Sequence, residues 1–301
     1  EKDLKSNQNL VPGFLKTCTL GYDGKGQYEI NSIDDLNNIN LDPKKEYIFE
    51  KRIGLRLGWA LAFPLSLGLS HPFIRSRKEN LRGQLSITSR NSQTDLLGAT
   101  LSKDHLRVID LGVSYDFLDR YLGINLLSIN LTKGIDMFGA TKTGSANLSR
   151  SDGHSDFTKL SGDLLRLQQL GDGWSLLTSL SWQYAFDRLL SSEEFGLGGP
   201  QLVRAYDPSE ITGDQGYGLK IEVQKGIKTK WDYLKSYQPY FFIDHGAVYL
   251  KNPTATSQKE EGLTSLGIGT RGNITDWLSG YLEIGLPLSR DVGAEGNNSI
   301  G

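Results

Sequence analysis

The stretch that decides the reading is residues 193–218, EEFGLGGPQLVRAYDPSEITGDQGYG. It is long, glycine-rich and polar, and two segments of strict apolar/polar alternation flank it. Before it, Trp174, Leu176, Thr178, Leu180, Trp182, Tyr184 and Phe186 share one face; Ser175, Leu177, Ser179, Ser181, Gln183 and Ala185 share the other. After it, Tyr217, Leu219, Ile221 and Val223 alternate with Gly218, Lys220, Glu222 and Gln224. Period-two alternation places these residues on β-strands. A connection this long between strands is uncommon and tends to be either functional or disordered. Phe195, Leu197, Leu202, Val203, Tyr206 and Ile211 make it too apolar for disorder. The expectation is a loop that folds back against the strands.

The same alternation recurs outward from this stretch, in 63–70, 81–88, 109–117, 123–134, 237–249, 263–272 and 276–289. A phase slip at Leu126-Leu127 suggests a β-bulge. Connections alternate short and long: 75–80 then 90–104, 118–120 then 136–156, 170–173 then 188–215. Segments of about ten residues or more, short turns on one side and long loops on the other match an outer-membrane barrel, whose apolar face meets lipid. Aromatic residues at segment ends (Trp174, Tyr184, Phe186, Tyr217, Tyr237, Tyr249, Trp277) suit interfacial girdles. The fold class expected is therefore all-β, a transmembrane antiparallel β-barrel over 47–301. A soluble β domain is the weaker alternative. Residues 1–46, rich in Asn, Asp and Lys, read as an irregular lead-in, with a possible hairpin at 22–30 around Asp23-Gly24.

Composition narrows the function. Net charge is −2, so nothing in bulk charge points to nucleic acid. The one cysteine, Cys18, excludes an internal disulfide framework and a multi-cysteine metal site. The four histidines, His71, His105, His154 and His245, are scattered without metal-ligand spacing, and no GxSxG elbow occurs. Asp207, Glu210 and Asp214 lack the spacing of a calcium loop and read as loop-folding hydrogen-bonding groups. No catalytic residue, metal site or cofactor is expected. Asp244 and His245, adjacent on a strand, point to opposite faces and form no dyad.

Alternation does bring one pair together. In YQPYFFIDHGAVY (237–249), Gln238, Tyr240, Phe242, Asp244 and Gly246 share a face opposite Phe241, Ile243, Ala247 and Tyr249, with His245 as a misfit. Asp244 should point to the polar interior, where a loop folded inward could present Arg204 to it as a bidentate partner.

At these residues the chain resembles the two-partner secretion transporters, the hemolysin secretion/activation proteins. Val203, Arg204 and Tyr206 match their Val-Arg-Gly-Phe/Tyr loop motif; Ala205 stands where the family has Gly, which bears on any role needing a positive φ or close backbone approach. Phe242, Asp244 and Gly246 match the family's Phe-x-Asp-x-Gly strand motif. The similarity runs over about residues 60–290. It implies a sixteen-stranded barrel in the outer membrane of a Gram-negative bacterium, of which this chain covers a part. It further implies a monomeric pore, with a loop Arg paired to a strand Asp. Such a pore exports a large partner exoprotein bearing an N-terminal secretion domain, without ATP. The family's POTRA domains and terminal strand are not visible in the chain. The alternatives are a related barrel-assembly factor, a porin and an outer-membrane hydrolase.

Overall fold

The computed structural model describes residues 13–17, 27–30, 47–51, 65–96, 99–231, 233–253, 259–275 and 277–289. Two compact units divide the chain. In the first, β1 (Gly13–Thr17) pairs antiparallel with both β2 (Gln27–Ile30) and β3 (Tyr47–Lys51). The partner of Gln27–Ile30 is β1; the hairpin expected at 22–30 around Asp23-Gly24 lies largely outside the described residues. Residues 47–51, expected in the barrel segment, belong to this small sheet.

The second unit is an antiparallel meander. Its strands are β4 (Leu65–Arg75), β5 (Glu79–Leu96), β6 (Ala99–Leu118), β7 (Gly123–Gly134), β8 (Thr158–Gly171), β9 (Trp174–Ala185), β12 (Gln215–Lys225), β14 (Leu234–Tyr249), β15 (Glu260–Asn273) and β16 (Ser279–Pro287). Each pairs with the next in this order, and β13 (Ile227–Trp231) extends β12 beside β14. Two short strands within the long loop, β10 (Phe195–Leu197) and β11 (Ile211–Gly213), pair with each other.

Two expectations need correction. Residues 90–104 are mostly not a loop: β5 and β6 run through them, leaving only 97–98 between. On β5, Arg90, Ser92 and Thr94 make one face polar and Asn91, Gln93 and Asp95 the other, so the apolar signal stops while the backbone pairing continues. The bulge at Leu126-Leu127 is absent, since β7 keeps an unbroken register with β6 and β8 from Ile124 to Lys133. Leu126 lies beside Asp116 and Leu165, and Leu127 beside Tyr115 and Leu164. Both faces of β7 carry leucine there, which mimics a slip.

The faces differ sharply. On one, Leu111, Val113, Ile129, Leu131, Phe241, Ile243, Ile268, Leu282, Ile284 and Leu286 are exposed side by side. A contiguous apolar face of this size on a folded protein calls for an apolar surrounding. The other face is polar and covered by the loop after β9. Asp244 and Ser265 are fully buried there, and Glu222 is nearly so. His245, the misfit on the apolar face, is held by Tyr217 Oη at 3.2 Å from its Nε2 and by Thr264 Oγ1 at 2.9 Å from its Nδ1.

Candidate functional site

The loop from 186 to 214 is built as a hairpin laid on the sheet. The β10–β11 ladder forms its stem, and Gly198 N and Gly199 N donate to Leu202 O and Tyr206 O to close the tip. Gly198 takes φ 112°, a conformation side-chain-bearing residues rarely adopt. Leu197, Val203, Tyr206 and Ile211 pack with Val248 and Leu263 of the wall, with Phe195 and Leu202 alongside. Burial of such side chains contributes about 1.5–3 kcal/mol each, which holds a polar-looking loop in place. The wall is shaped to receive them. A Cβ at Gly246 would stand 2.8 Å from Leu197 Cδ1, and one at Gly218 would stand 3.0 Å from Leu202 Cδ2.

At the tip, Val203 (φ 57°) and Ala205 (φ 77°) are both left-handed. These two turns aim the intervening Arg204 at the sheet. Ala205 is received opposite Gly285, where an added Cβ would lie 2.9 Å from the Ala205 Cβ.

Register explains what Arg204 meets. Lys220, Asp244 and Ser265 lie abreast on β12, β14 and β15. One step nearer the short turns lie Glu222, Phe242, Gly267 and, on β16, Gly285. Next come Gln224, Tyr240, Gly269 and Glu283. Arg204 is 4% exposed. Its Nε donates to Asp244 Oδ2 (2.8 Å) and its Nη2 to Asp244 Oδ1 (2.9 Å), while its backbone N donates to Asp244 Oδ2 (3.1 Å). Nη1 donates to Glu222 Oε2 (2.8 Å) and Glu283 Oε2 (3.0 Å). The guanidinium lies 3.5 Å over the Phe242 ring.

The carboxylates have further partners. Glu222 receives Arg271 Nη1 at 2.6 Å and Gln224 Nε2 at 2.8 Å. Tyr240 Oη donates to Glu283 (2.8 Å), and Arg271 stacks 3.9 Å over the Tyr240 ring. Tyr206 ties the tip to the wall by donating to Thr264 O at 3.1 Å, and Ser289 N donates to Tyr206 Oη at 3.0 Å. Gly246 supplies the space for Leu197.

Thus Val203, Arg204, Ala205, Tyr206, Phe242, Asp244 and Gly246, singled out in the sequence, all meet in one place. Sequence reasoning missed Glu222, Glu283 and Arg271 as partners. Glu222 and Glu283 were visible as mid-strand charges, but only the register between strands sets them beside Arg204.

A second buried polar centre ties the long loops together. Asp214, fully buried, accepts from Arg150 Nη1 (2.7 Å) and Nη2 (3.2 Å), Leu189 N (2.7 Å) and Lys251 N (2.8 Å). Arg150 also pairs with Glu194 at 2.8 Å. Burial pushes the Glu194 carboxyl up from its ordinary range, with Arg150 opposing. Among the described residues no His/Cys/Asp/Glu group has the arrangement of a metal site.

The family model for the haemolysin secretion/activation protein ShlB/FhaC/HecB matches residues 64–272. No curated protein sequence matches the chain. Among solved structures, CdiB from Escherichia coli is 23% identical with a TM-score of 0.64, over 75% of this chain and 41% of that one. CdiB from Acinetobacter baumannii is 20% identical with a TM-score of 0.52, over 75% of this chain and 42% of that one. BamA from Haemophilus ducreyi, lacking POTRA domains 1–3, is 11% identical with a TM-score of 0.54, over 76% of this chain and 52% of that one. At these identities the likeness shows a fold: the meander is part of an outer-membrane-type β-barrel wall. The chain spans about two fifths of the CdiB chains' length.

Proposed function

Since the chain belongs to the haemolysin secretion/activation family ShlB/FhaC/HecB, we propose that it forms an outer-membrane pore exporting one large partner exoprotein in two-partner secretion. The partner carries an N-terminal secretion domain and crosses in extended form, without ATP. The pore sits in the outer membrane of a Gram-negative bacterium and works as a monomer. The loop 186–214 lies in the lumen and sets the channel's conformation. No catalytic step is assigned to the chain.

The observation that carries this reading is the burial of Arg204 among Asp244, Glu222 and Glu283 on the polar face of a sheet whose opposite face is apolar. A barrel that only conducts small solutes has no evident use for a charged loop seated this deeply. A buried ion pair is weak support for stability in itself, because desolvation offsets the attraction. It does fix one geometry for the loop, and moving the loop must break several charge-assisted hydrogen bonds at once.

The test is Arg204→Ala in the full-length protein, with secretion of the exoprotein and abundance of folded barrel measured separately. Secretion should fall while folded barrel persists in the membrane. Normal secretion by the variant would refute the role of the loop. The reversal pair Arg204→Asp with Asp244→Arg should recover part of the loss seen in each single variant.

A further inference from the structure

Below Arg204, toward the short turns, the polar face of the sheet opens into a cavity of about 750 Å³. Lys228, Gln238, Arg271, Asn273 and Tyr281 line it, and among the described residues no carboxylate does. Arg271 connects this cavity to the loop site. Its side chain is 41% exposed, while the Glu222 it grips on the far side is 1% exposed. Glu222 and Gln238 engage Nη1, and Glu222 also engages Nη2. A guanidinium carries five N–H donors, so Arg271 keeps hydrogen-bonding capacity toward the cavity. Lys228 adds a second cation with no ion pair among the described residues. Gln238 and Asn273 offer amides suited to an extended peptide backbone.

We infer that this cavity binds a carboxylate-bearing segment of an extended polypeptide, held by Arg271 and Lys228. That the segment belongs to an exported chain rests on the function proposed above; the anion preference rests on the cavity alone. Two cations, several neutral donors and no carboxylate among the described lining residues favour an acidic side chain over a basic one. Because Arg271 keeps Glu222 while it takes a new partner, occupancy leaves the Arg204 contacts in place. The site therefore holds a chain at the short-turn mouth before the loop moves.

The test uses the full-length protein in detergent and two flexible Gly/Ser peptides, one carrying glutamates and one carrying lysines. Binding is measured by fluorescence anisotropy. The Glu peptide should bind, the Lys peptide should not, and raised salt should weaken the binding. Arg271→Gln should weaken it about tenfold or more, the worth of a charge-assisted hydrogen bond. Lys228→Glu should abolish it while hydrogen exchange over 198–206 stays as in the parent protein, since Lys228 takes no part in holding Arg204. Equal binding of the two peptides, or unchanged affinity in Lys228→Glu, would overturn the assignment. Absence of any binding would overturn it too, in favour of the cavity being filled by another segment of the protein itself. Export lost with peptide binding intact would count against the export step alone, and the reverse against the cavity alone.

Discussion

The close approach of Ala205 to Gly285 gives a quantitative test of how the loop is seated. A Cβ at Gly285 would lie 2.9 Å from the Ala205 Cβ, closer than such atoms come in real structures. Gly285→Ala should therefore force the tip off the wall or push β16 back, at about 1–3 kcal/mol, the usual cost of overpacking. The other neighbours of that position, Ala205 N and Phe242 Cζ, stand at 3.5 Å, an ordinary contact. Removing the Ala205 methyl should remove most of the cost. Ala205→Gly alone has two opposed effects. It relieves a left-handed alanine, worth about 1–2 kcal/mol, and it loosens the unfolded chain by about 0.4–1 kcal/mol. The net gain is about 0.5–1 kcal/mol. In the double variant, Gly285→Ala should be nearly neutral, so the cycle should show a coupling of about 1–3 kcal/mol. The assay is urea unfolding of the full-length protein in lipid vesicles, followed by tryptophan fluorescence, with hydrogen exchange at the Arg204 amide as a local readout. Additivity within about 0.5 kcal/mol, the behaviour of independent sites, would refute this seating of the loop.

Other outcomes follow from the same geometry. Arg204→Met leaves Asp244 buried without its cation, while Glu222 keeps Arg271; it should cost about 3–5 kcal/mol in the same unfolding assay. Loss of Asp214 in Asp214→Ala deprives Arg150 and two backbone N–H groups of an acceptor; proteolysis of the segment 139–156 should quicken markedly, and unchanged cleavage would show that the loops are held by other means. Gly246→Ala would bring a methyl within 2.5 Å of Tyr217 O and 2.8 Å of Leu197 Cδ1; it should raise hydrogen exchange across β10 and the β12–β14 ladder while the β7–β8 ladder stays protected. At the short turn after β6, the Arg166 guanidinium and the Gly123 amide hold the Asp119 carboxyl well below its ordinary value of 3.8. A carboxylate whose pKa is depressed on folding stabilises above its unfolded pKa, and that stability is lost as pH falls through the folded value. The stability gap between the parent protein and Asp119→Asn should thus be constant at neutral pH and close only in strong acid, as pH-dependent unfolding would show.

The fold was legible where one face is apolar and the other polar. Alternation located β9, β12 and β14 to β16 and the apolar stretches of β4 to β7, and the spacing of turns gave the meander. It failed where that contrast vanishes. In 90–104 both faces are polar, so paired strands looked like a loop. At Leu126-Leu127 both faces are apolar, so a regular strand looked bulged. The Arg204–Asp244 pair was legible because parity along β14 fixes which way Asp244 points. Glu222 and Glu283 were not, because parity within a strand is silent on how far neighbouring strands are shifted. The left-handed backbone at Ala205 was signalled only by the family's Gly at that position: alanine itself gives no sign of φ, and the space it needs is supplied by Gly285, eighty residues further along the chain.

The Arg204 cluster also has a consequence for ion flow. Its wall contributes three carboxylates, Asp244, Glu222 and Glu283, against two cations, Arg271 and the neighbouring Lys220. With the loop seated, Arg204 brings this patch to neutrality. In the proposed pore, withdrawal of the loop would leave the patch with one uncompensated negative charge. An uncompensated acidic patch on a pore wall favours cations. The sign of the reversal potential across a bilayer therefore reports where the loop is: close to unselective with Arg204 home, cation-preferring once it has left. In the proposed pore the same unbalanced charge would draw the guanidinium back, so the wall itself would supply a restoring force.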